Sequence, residues 1–272
     1  MQQQTIRNII NFQGIGIHSG KPVNIAIKPT STDMGIVFVR TDLNNTQVPV
    51  KPAMLANSSR ATILNHQNIK IATPEHLLAA LYGLGIDNAV IEIDTEEVPI
   101  MDGSAMSFVK AIFDIGIEQQ TKQKKELIIT KPILVKNGDC YLLAEPASKF
   151  KISYILDYPE TFIGQQVLAL DINTESFIEQ IAPARTYGFY NEVKELLENN
   201  LAKGGSIDNA VVIEEHKYRN ELRFPDELCR HKILDLIGDL SVVGKAVKGH
   251  FIGVKSGHLL NKQMVEAISL KT

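Results

Sequence analysis

The sequence predicts an α+β protein made of two similar halves, each a two-layer α/β sandwich with helices on one face of a sheet. Three observations carry this expectation. Short β-type runs lead into a helix, a strand and a second helix, and that order occurs twice along the chain. The strings "HLLAALYG" from His76 and "HKILDLIG" from His231 share the leading His, a Leu five positions on and a Gly seven positions on. His76 to Gly103 spans 27 residues and His231 to Gly257 spans 26, after which "FVKAI" and "MVEAI" close the halves alike. Matches in the same order at nearly the same spacing are the mark of an internal duplication.

The elements follow in order. Residues 14–50 alternate turns with runs such as "VNIAIKP" and "GIVFVR", and the stretch "LANSSRATILNHQNIKIAT" supplies further short strands. In "TPEHLLAALYG", Thr73 can cap a helix, Pro74 suits its first position, and Leu77, Leu78 and Leu81 form an apolar face. A strand "NAVIEID", a turn "VPIMDGS" and a helix "SAMSFVKAIFDIG" complete the first half, residues 1–120. The polar, lysine-rich segment 118–126 is expected as the linker. The second half, 127–272, repeats strands in "KPILV" and "DCYLLAEPASKFKISYIL". A long helix "PDELCRHKILDLIGDLSVVG", a strand "GHFIGVK", a turn "SGHLL" and a last helix "NKQMVEAIS" follow. Packing the halves through their helices would relate the two histidine-bearing helices by an approximate twofold and bring the imidazoles together.

Bulk properties narrow the function classes. A net charge of −3 without basic–aromatic strips speaks against nucleic acid. No run of about 18 apolar residues is present, so no spanning helix is expected. The start, "MQQQTIRNIINFQG", lacks the apolar run of a secretory signal. Two cysteines, Cys140 and Cys229, are too few for a disulfide framework and are expected as free thiols in the cytoplasm.

The chemistry gathers on the two histidine helices. His231 and Asp235 lie at i and i+4 and project from one face, and Asp239 continues the stripe one turn on. Acids in line with an imidazole on an otherwise apolar helix are costly to bury without compensation. An ordinary surface pair of His231 with Asp235 is one account. A divalent metal held by His76, His231 and Asp235 explains more, because three protein ligands with an open fourth position is the pattern of catalytic zinc. Glu75, on the opening turn beside His76, would then act as general base toward water attacking a carbonyl, which is amide hydrolysis without a covalent intermediate. His258 would stabilise the oxyanion or protonate the leaving amine, with Asp239 holding its ring. His18, His66, His216 and His250 are expected as exposed loop or strand-end residues.

Taken together, "GIGIHSGKPV", "TPEHLLAALYG", "PIMDGSA", "ARTYGF", "LAKGGSIDNAVV", "LRFPDELCRHKILDLIGDL" and "KSGHLLN" resemble the zinc-dependent UDP-3-O-acyl-N-acetylglucosamine deacetylases of lipid A biosynthesis. The matches run in order from residue 14 to 261. The resemblance implies an active site at the interface of two α+β domains, each with a small insert, here about 48–72 and 189–213. The second insert would wall an apolar passage for the acyl chain. By the same resemblance His76, His231 and Asp235 are the Zn2+ ligands, Glu75 the base, His258 the catalytic histidine and Asp239 its support. Thr186 would hydrogen-bond the oxyanion. Lys232 would bind substrate, Lys255 would contact the diphosphate, and Tyr187 would cover a sugar face. The implied substrate is a UDP-linked, acylated N-acetylglucosamine, and the enzyme is expected to act as a monomer. Two other readings stay open at the level of sequence: a zinc amidase for another amide, which would lack the H-E-x-x-H of common zinc peptidases, and a non-enzymatic α+β binding module.

Overall fold

The computed structural model describes residues 1–58, 60–199 and 201–270. Ser59 and Asn200, one in each expected insert, lie outside the described residues. The first half runs β1 (Gln2–Ile6), β2 (Ile10–Ile15), β3 (Pro22–Pro29), β4 (Ile36–Arg40), β5 (Thr46–Pro49), β6 (Ile63–His66), β7 (Ile69–Ala72), α1 (Glu75–Gly83), β8 (Ala89–Ile93) and α2 (Met106–Ile115). Next come β9 (Ile117–Gln123), β10 (Glu126–Ile128), β11 (Ile133–Asn137), β12 (Cys140–Glu145), β13 (Phe150–Tyr158) and β14 (Gly164–Asp171). A single turn, α3 (Thr174–Ser176), leads to β15 (Tyr187–Phe189), α4 (Val193–Glu198), β16 (Val211–Ile213), α5 (Glu227–Ser241), β17 (Ala246–Val254) and α6 (His258–Ser269).

The two main sheets have one topology. Strand order is β2-β3-β8-β4-β5 in the first and β11-β12-β17-β13-β14 in the second, with β10 added beside the start of β17. In each sheet the central strand pairs antiparallel on one side (β3–β8, β12–β17) and parallel on the other (β4–β8, β13–β17). A parallel pair needs a crossover connection. In both halves that crossover carries the insert and then the histidine helix, α1 or α5, so the sheet topology itself delivers each histidine to the covered face.

One face of each sheet is buried. In β3, Val23, Ile25 and Ile27 point inward and alternate with exposed or half-exposed residues. In β17, Val247 and Phe251 do the same, with Gly249 between them and Gly253 beyond on the same face. This is the period-2 pattern of a sheet covered on one side. The helices of the two halves meet at the centre. α1 is buried nearly all round, Glu75 and His76 included, because it packs on its own sheet and on α5. The helices approach closely at Gly238 of α5, where a Cβ would lie 2.2 Å from the Glu75 carbonyl oxygen.

Three expectations of local structure are corrected. Most of segment 118–126 is not an open linker but the body of β9, which pairs antiparallel with β1 in a two-stranded ribbon. Its polar side chains hide it from a hydropathy pattern, because they find specific partners: Gln120 accepts from Asn88 at 2.7 Å and donates to the Thr30 carbonyl at 2.7 Å. Thr73 does not cap α1. It sits at φ +55° with its hydroxyl 3.4 Å from Glu97, and the first helical bond runs from Leu78 N–H to the Pro74 carbonyl. His258 is the first residue of α6 and not part of a turn.

Candidate metal centre

Seven ionisable side chains converge where α1 meets α5: Glu75, His76, His231, Lys232, Asp235, Asp239 and His258. His76 Nε2 lies 3.7 Å and His231 Nε2 3.3 Å from the same oxygen, Asp235 Oδ1. The rings of His76 and His231 stand edge to face with centroids 4.9 Å apart. One donor atom from each of His76, His231 and Asp235 lies within 4.8 Å of the others, and all three residues are buried. Around a tetrahedral cation with bonds of about 2.0–2.1 Å, donors sit roughly 3.4 Å from each other, so the spacing suits one shared ion.

The surrounding bonds leave the right lone pairs free. His231 Nδ1–H donates to the Ala184 carbonyl at 3.1 Å, which fixes the tautomer and directs Nε2 inward. Burial pushes the His231 imidazole down to about 4 against the pull of Asp235, so it is neutral, the form that ligates. Lys232 Nζ donates to Asp235 Oδ2 at 2.7 Å and leaves Oδ1 facing the histidines. Burial would raise the Asp235 carboxyl, but Lys232 and His231 hold it well below the ordinary range. Burial opposes the charge of Lys232 too, and Asp235 more than reverses that, holding it above the usual lysine value.

Glu75 and His258 face the same space. His258 Nε2 is 3.9 Å from Glu75 Oε1 and 3.9 Å from Asp235 Oδ2. Desolvation raises the Glu75 carboxyl to about 7, against the opposing charges of His258 and His76. For His258 burial works downward, but the Asp239 carboxylate, accepting from Nδ1 at 2.9 Å, drives it up to about 9. One carboxyl is thus poised to take a proton near neutrality and one imidazolium to give one.

The other predicted residues spread around this centre. Thr186 immediately precedes β15; its N–H donates to the Gly103 carbonyl at 2.8 Å, and among the described residues its hydroxyl has no partner. The Tyr187 ring lies 6.3 Å from that of His231, and its hydroxyl is 3.2 Å from that of Tyr158. Lys255 stands apart from the seven, with its ammonium 3.9 Å from Asp139 in the turn between β11 and β12.

Several site residues carried no signal of their own in the sequence. Arg185 forks onto Glu227, with Nε to Oε1 at 2.8 Å and Nη2 to Oε2 at 3.1 Å, both side chains buried. This pair ties the segment bearing Ala184 and Thr186 to the start of α5. In the sequence Glu227 is an acid in a first helical turn, 42 residues from its partner, and neither position marks the pair. Thr62 touches Asp239, His258 and Glu75 at once. His18, expected at the surface, is half-buried and close enough to His258 for the two to repel, and burial lowers its pKa. Of the other three histidines expected to be exposed, only His216 is; His66 and His250 are half-buried.

A cavity of about 830 Å³ opens beside the centre, between the first half and α4 of the second insert. Ala61 and Thr73 mark its near side, and Leu196 and Leu201 come from the insert. Charged residues line it too, Arg40, Asp94 and Glu195 of the insert among them, so the space is of mixed polarity.

The family model described as UDP-3-O-acyl N-acetylglycosamine deacetylase matches residues 3–269. The UDP-3-O-acyl-N-acetylglucosamine deacetylase of Shewanella piezotolerans (strain WP3 / JCM 13877) is 43% identical over 98% of this chain and 89% of its own length. That of Shewanella halifaxensis (strain HAW-EB4) is 44% identical over the same shares. A match spanning both halves, with the histidine helices and their acids inside it, leaves one assignment: the chain belongs to the UDP-3-O-acyl-N-acetylglucosamine deacetylase family.

Proposed function

We propose that the chain removes the acetyl group from the 2-acetamido nitrogen of a UDP-linked, 3-O-acylated N-acetylglucosamine, a hydrolysis of lipid A synthesis in the cytoplasm. The observation that carries this reading is the convergence of His76, His231 and Asp235 on one point with Glu75 and His258 facing it. The donor set, two neutral nitrogens and one carboxylate oxygen, suits Zn2+. A cation bound there polarises a carbonyl and lowers the pKa of water.

The protein's own groups do the rest. Glu75 takes the proton from the attacking water through Oε1, while its Oε2 accepts from the Thr62 N–H at 3.2 Å. His258, kept cationic by Asp239, faces the negative charge that develops on the carbonyl oxygen and then supplies a proton to the departing amine. The Thr186 hydroxyl adds a donor to that oxygen. Lys232 and Tyr187 border the substrate, and Lys255 takes the diphosphate. The products are acetate and the free 2-amino sugar nucleotide.

The test is direct. Purified protein with zinc and the acylated sugar nucleotide should release acetate stoichiometrically with free amine, lose activity with a chelator and regain it with zinc. Absence of acetate release from the zinc-loaded protein overturns the assignment.

A further inference from the structure

Thr62 stands at the junction of both proton-handling groups. It belongs to the first half, one residue before β6, yet its side chain crosses into the second. Its hydroxyl hydrogen-bonds Asp239 Oδ1 and lies 3.2 Å from His258 Nδ1. Its N–H donates to Glu75 Oε2 at 3.2 Å, and its carbonyl accepts from the Thr73 N–H at 3.0 Å. The residue is only 4% exposed.

The donor–acceptor inventory shows what this arrangement fixes. A hydroxyl has one proton and two lone pairs. The proton goes to Asp239 Oδ1, because a carboxylate can only accept. Asp239 Oδ2 is then left for His258 Nδ1–H at 2.9 Å and Asn261 Nδ2–H at 2.8 Å. Without the Thr62 donor, Oδ1 is a buried, unsatisfied carboxylate oxygen, and rotation of the carboxylate would relieve it at the expense of the bond to His258. The hydroxyl oxygen also flanks Nδ1 and restricts rotation of the imidazole about its own axis.

We propose that Thr62 is a positioning residue that sets the orientation of His258 through Asp239 and, through its backbone N–H, fixes which oxygen of Glu75 faces the reacting centre. It touches none of the three metal donors in any bond described above. Its action is therefore on proton transfer rather than on metal binding. This assignment rests on the deacetylase reading.

The test compares Thr62→Val, which keeps the shape and deletes the hydroxyl, with Thr62→Ser, which keeps the hydroxyl and deletes the methyl. Wild type is assayed alongside on the acylated sugar nucleotide, so a failure of the reaction itself appears as an inactive wild type. Thr62→Val should lower kcat by about 10- to 100-fold, inside the range that positioned acid–base groups supply, with KM changed less than threefold and one zinc retained. Thr62→Ser should recover most of the lost kcat. Equal impairment of the two variants would show that the methyl and packing matter, and the inference falls. It falls equally if Thr62→Val keeps wild-type kcat, or if zinc content drops in parallel with activity. Should Thr62→Val fail to fold, the serine variant decides alone: a kcat more than tenfold below wild type with KM and zinc intact overturns the role assigned to the hydroxyl.

Discussion

Gly238→Ala tests whether the helix crossing sets the metal centre. The added Cβ would lie 2.2 Å from the Glu75 carbonyl oxygen, 2.9 Å from its carbonyl carbon and 3.0 Å from its Cα, all backbone atoms of α1. Ordinary contact needs roughly 3.4 Å or more, so α1 and α5 must part locally by about 1 Å; overpacking of this kind costs about 1–3 kcal/mol. Removing a helical glycine returns about 0.5–1 kcal/mol, leaving a net loss of about 1–2 kcal/mol. At roughly 2–4 °C per kcal/mol for chains of this size, the melting temperature should fall by about 2–8 °C. The larger effect is on metal. His76 rides on α1 and both other donors on α5, whereas metal sites tolerate ligand displacements of about 0.2 Å. Zinc affinity should drop at least tenfold. Thermal unfolding of the chelated protein and competitive zinc titration read the two quantities separately. Wild-type values in both would mean that the crossing accommodates a methyl group and that the helices do not dictate the donor spacing.

Glu75→Gln should retain zinc yet lose most turnover, because it removes a base and not a donor; metal analysis beside acetate release checks this, and loss of metal would make Glu75 structural. His258→Ala should lower kcat with little change in KM, measured by steady-state kinetics, and an unchanged kcat would remove it from proton transfer. Asp235→Ala should bind no stoichiometric zinc, and wild-type metal content would refute the donor set. In the metal-free protein two buried groups of the candidate site push stability in opposite directions between about pH 4.5 and 6.5. His231 falls from 6.5 to about 4, so its contribution is lost as pH drops, while Glu75 rises from 4.5 to about 7, so its contribution is lost as pH climbs. Each is worth about 3 kcal/mol, so Glu75→Gln, which deletes one side of the balance, should become acid-labile by about that amount in chelator-treated melts.

The chain made its fold legible wherever periodicity and repetition coincided. The two histidine helices, the alternating strands β3 and β17 and the closing helices α2 and α6 all occur where the sequence pattern expects them. The grouping of His76, His231 and Asp235 was readable because His231 and Asp235 share a helix face and His76 has a matching place in the other half. What escaped were features written in pairings rather than in patterns. β9 is polar, and its strand character comes from β1, more than a hundred residues earlier in the chain. Thr62 gains its role only because the hairpin of β6 and β7 folds over α5. Arg185 and Glu227 are 42 residues apart and look ordinary until the loop before β15 is laid on the start of α5.

The symmetry of the two sheets does not extend to the chemistry. Superposing the copies through their shared histidines sets Ala80 opposite Asp235, Leu84 opposite Asp239 and Arg230 opposite Glu75. Only the imidazole is common property; every acid belongs to one copy alone. Neither copy expressed by itself holds the full donor set, since one has a single nitrogen and the other a nitrogen and an oxygen. A cation seated between them would act as a rivet across the join, and its dissociation constant would report directly on how firmly the copies are clasped.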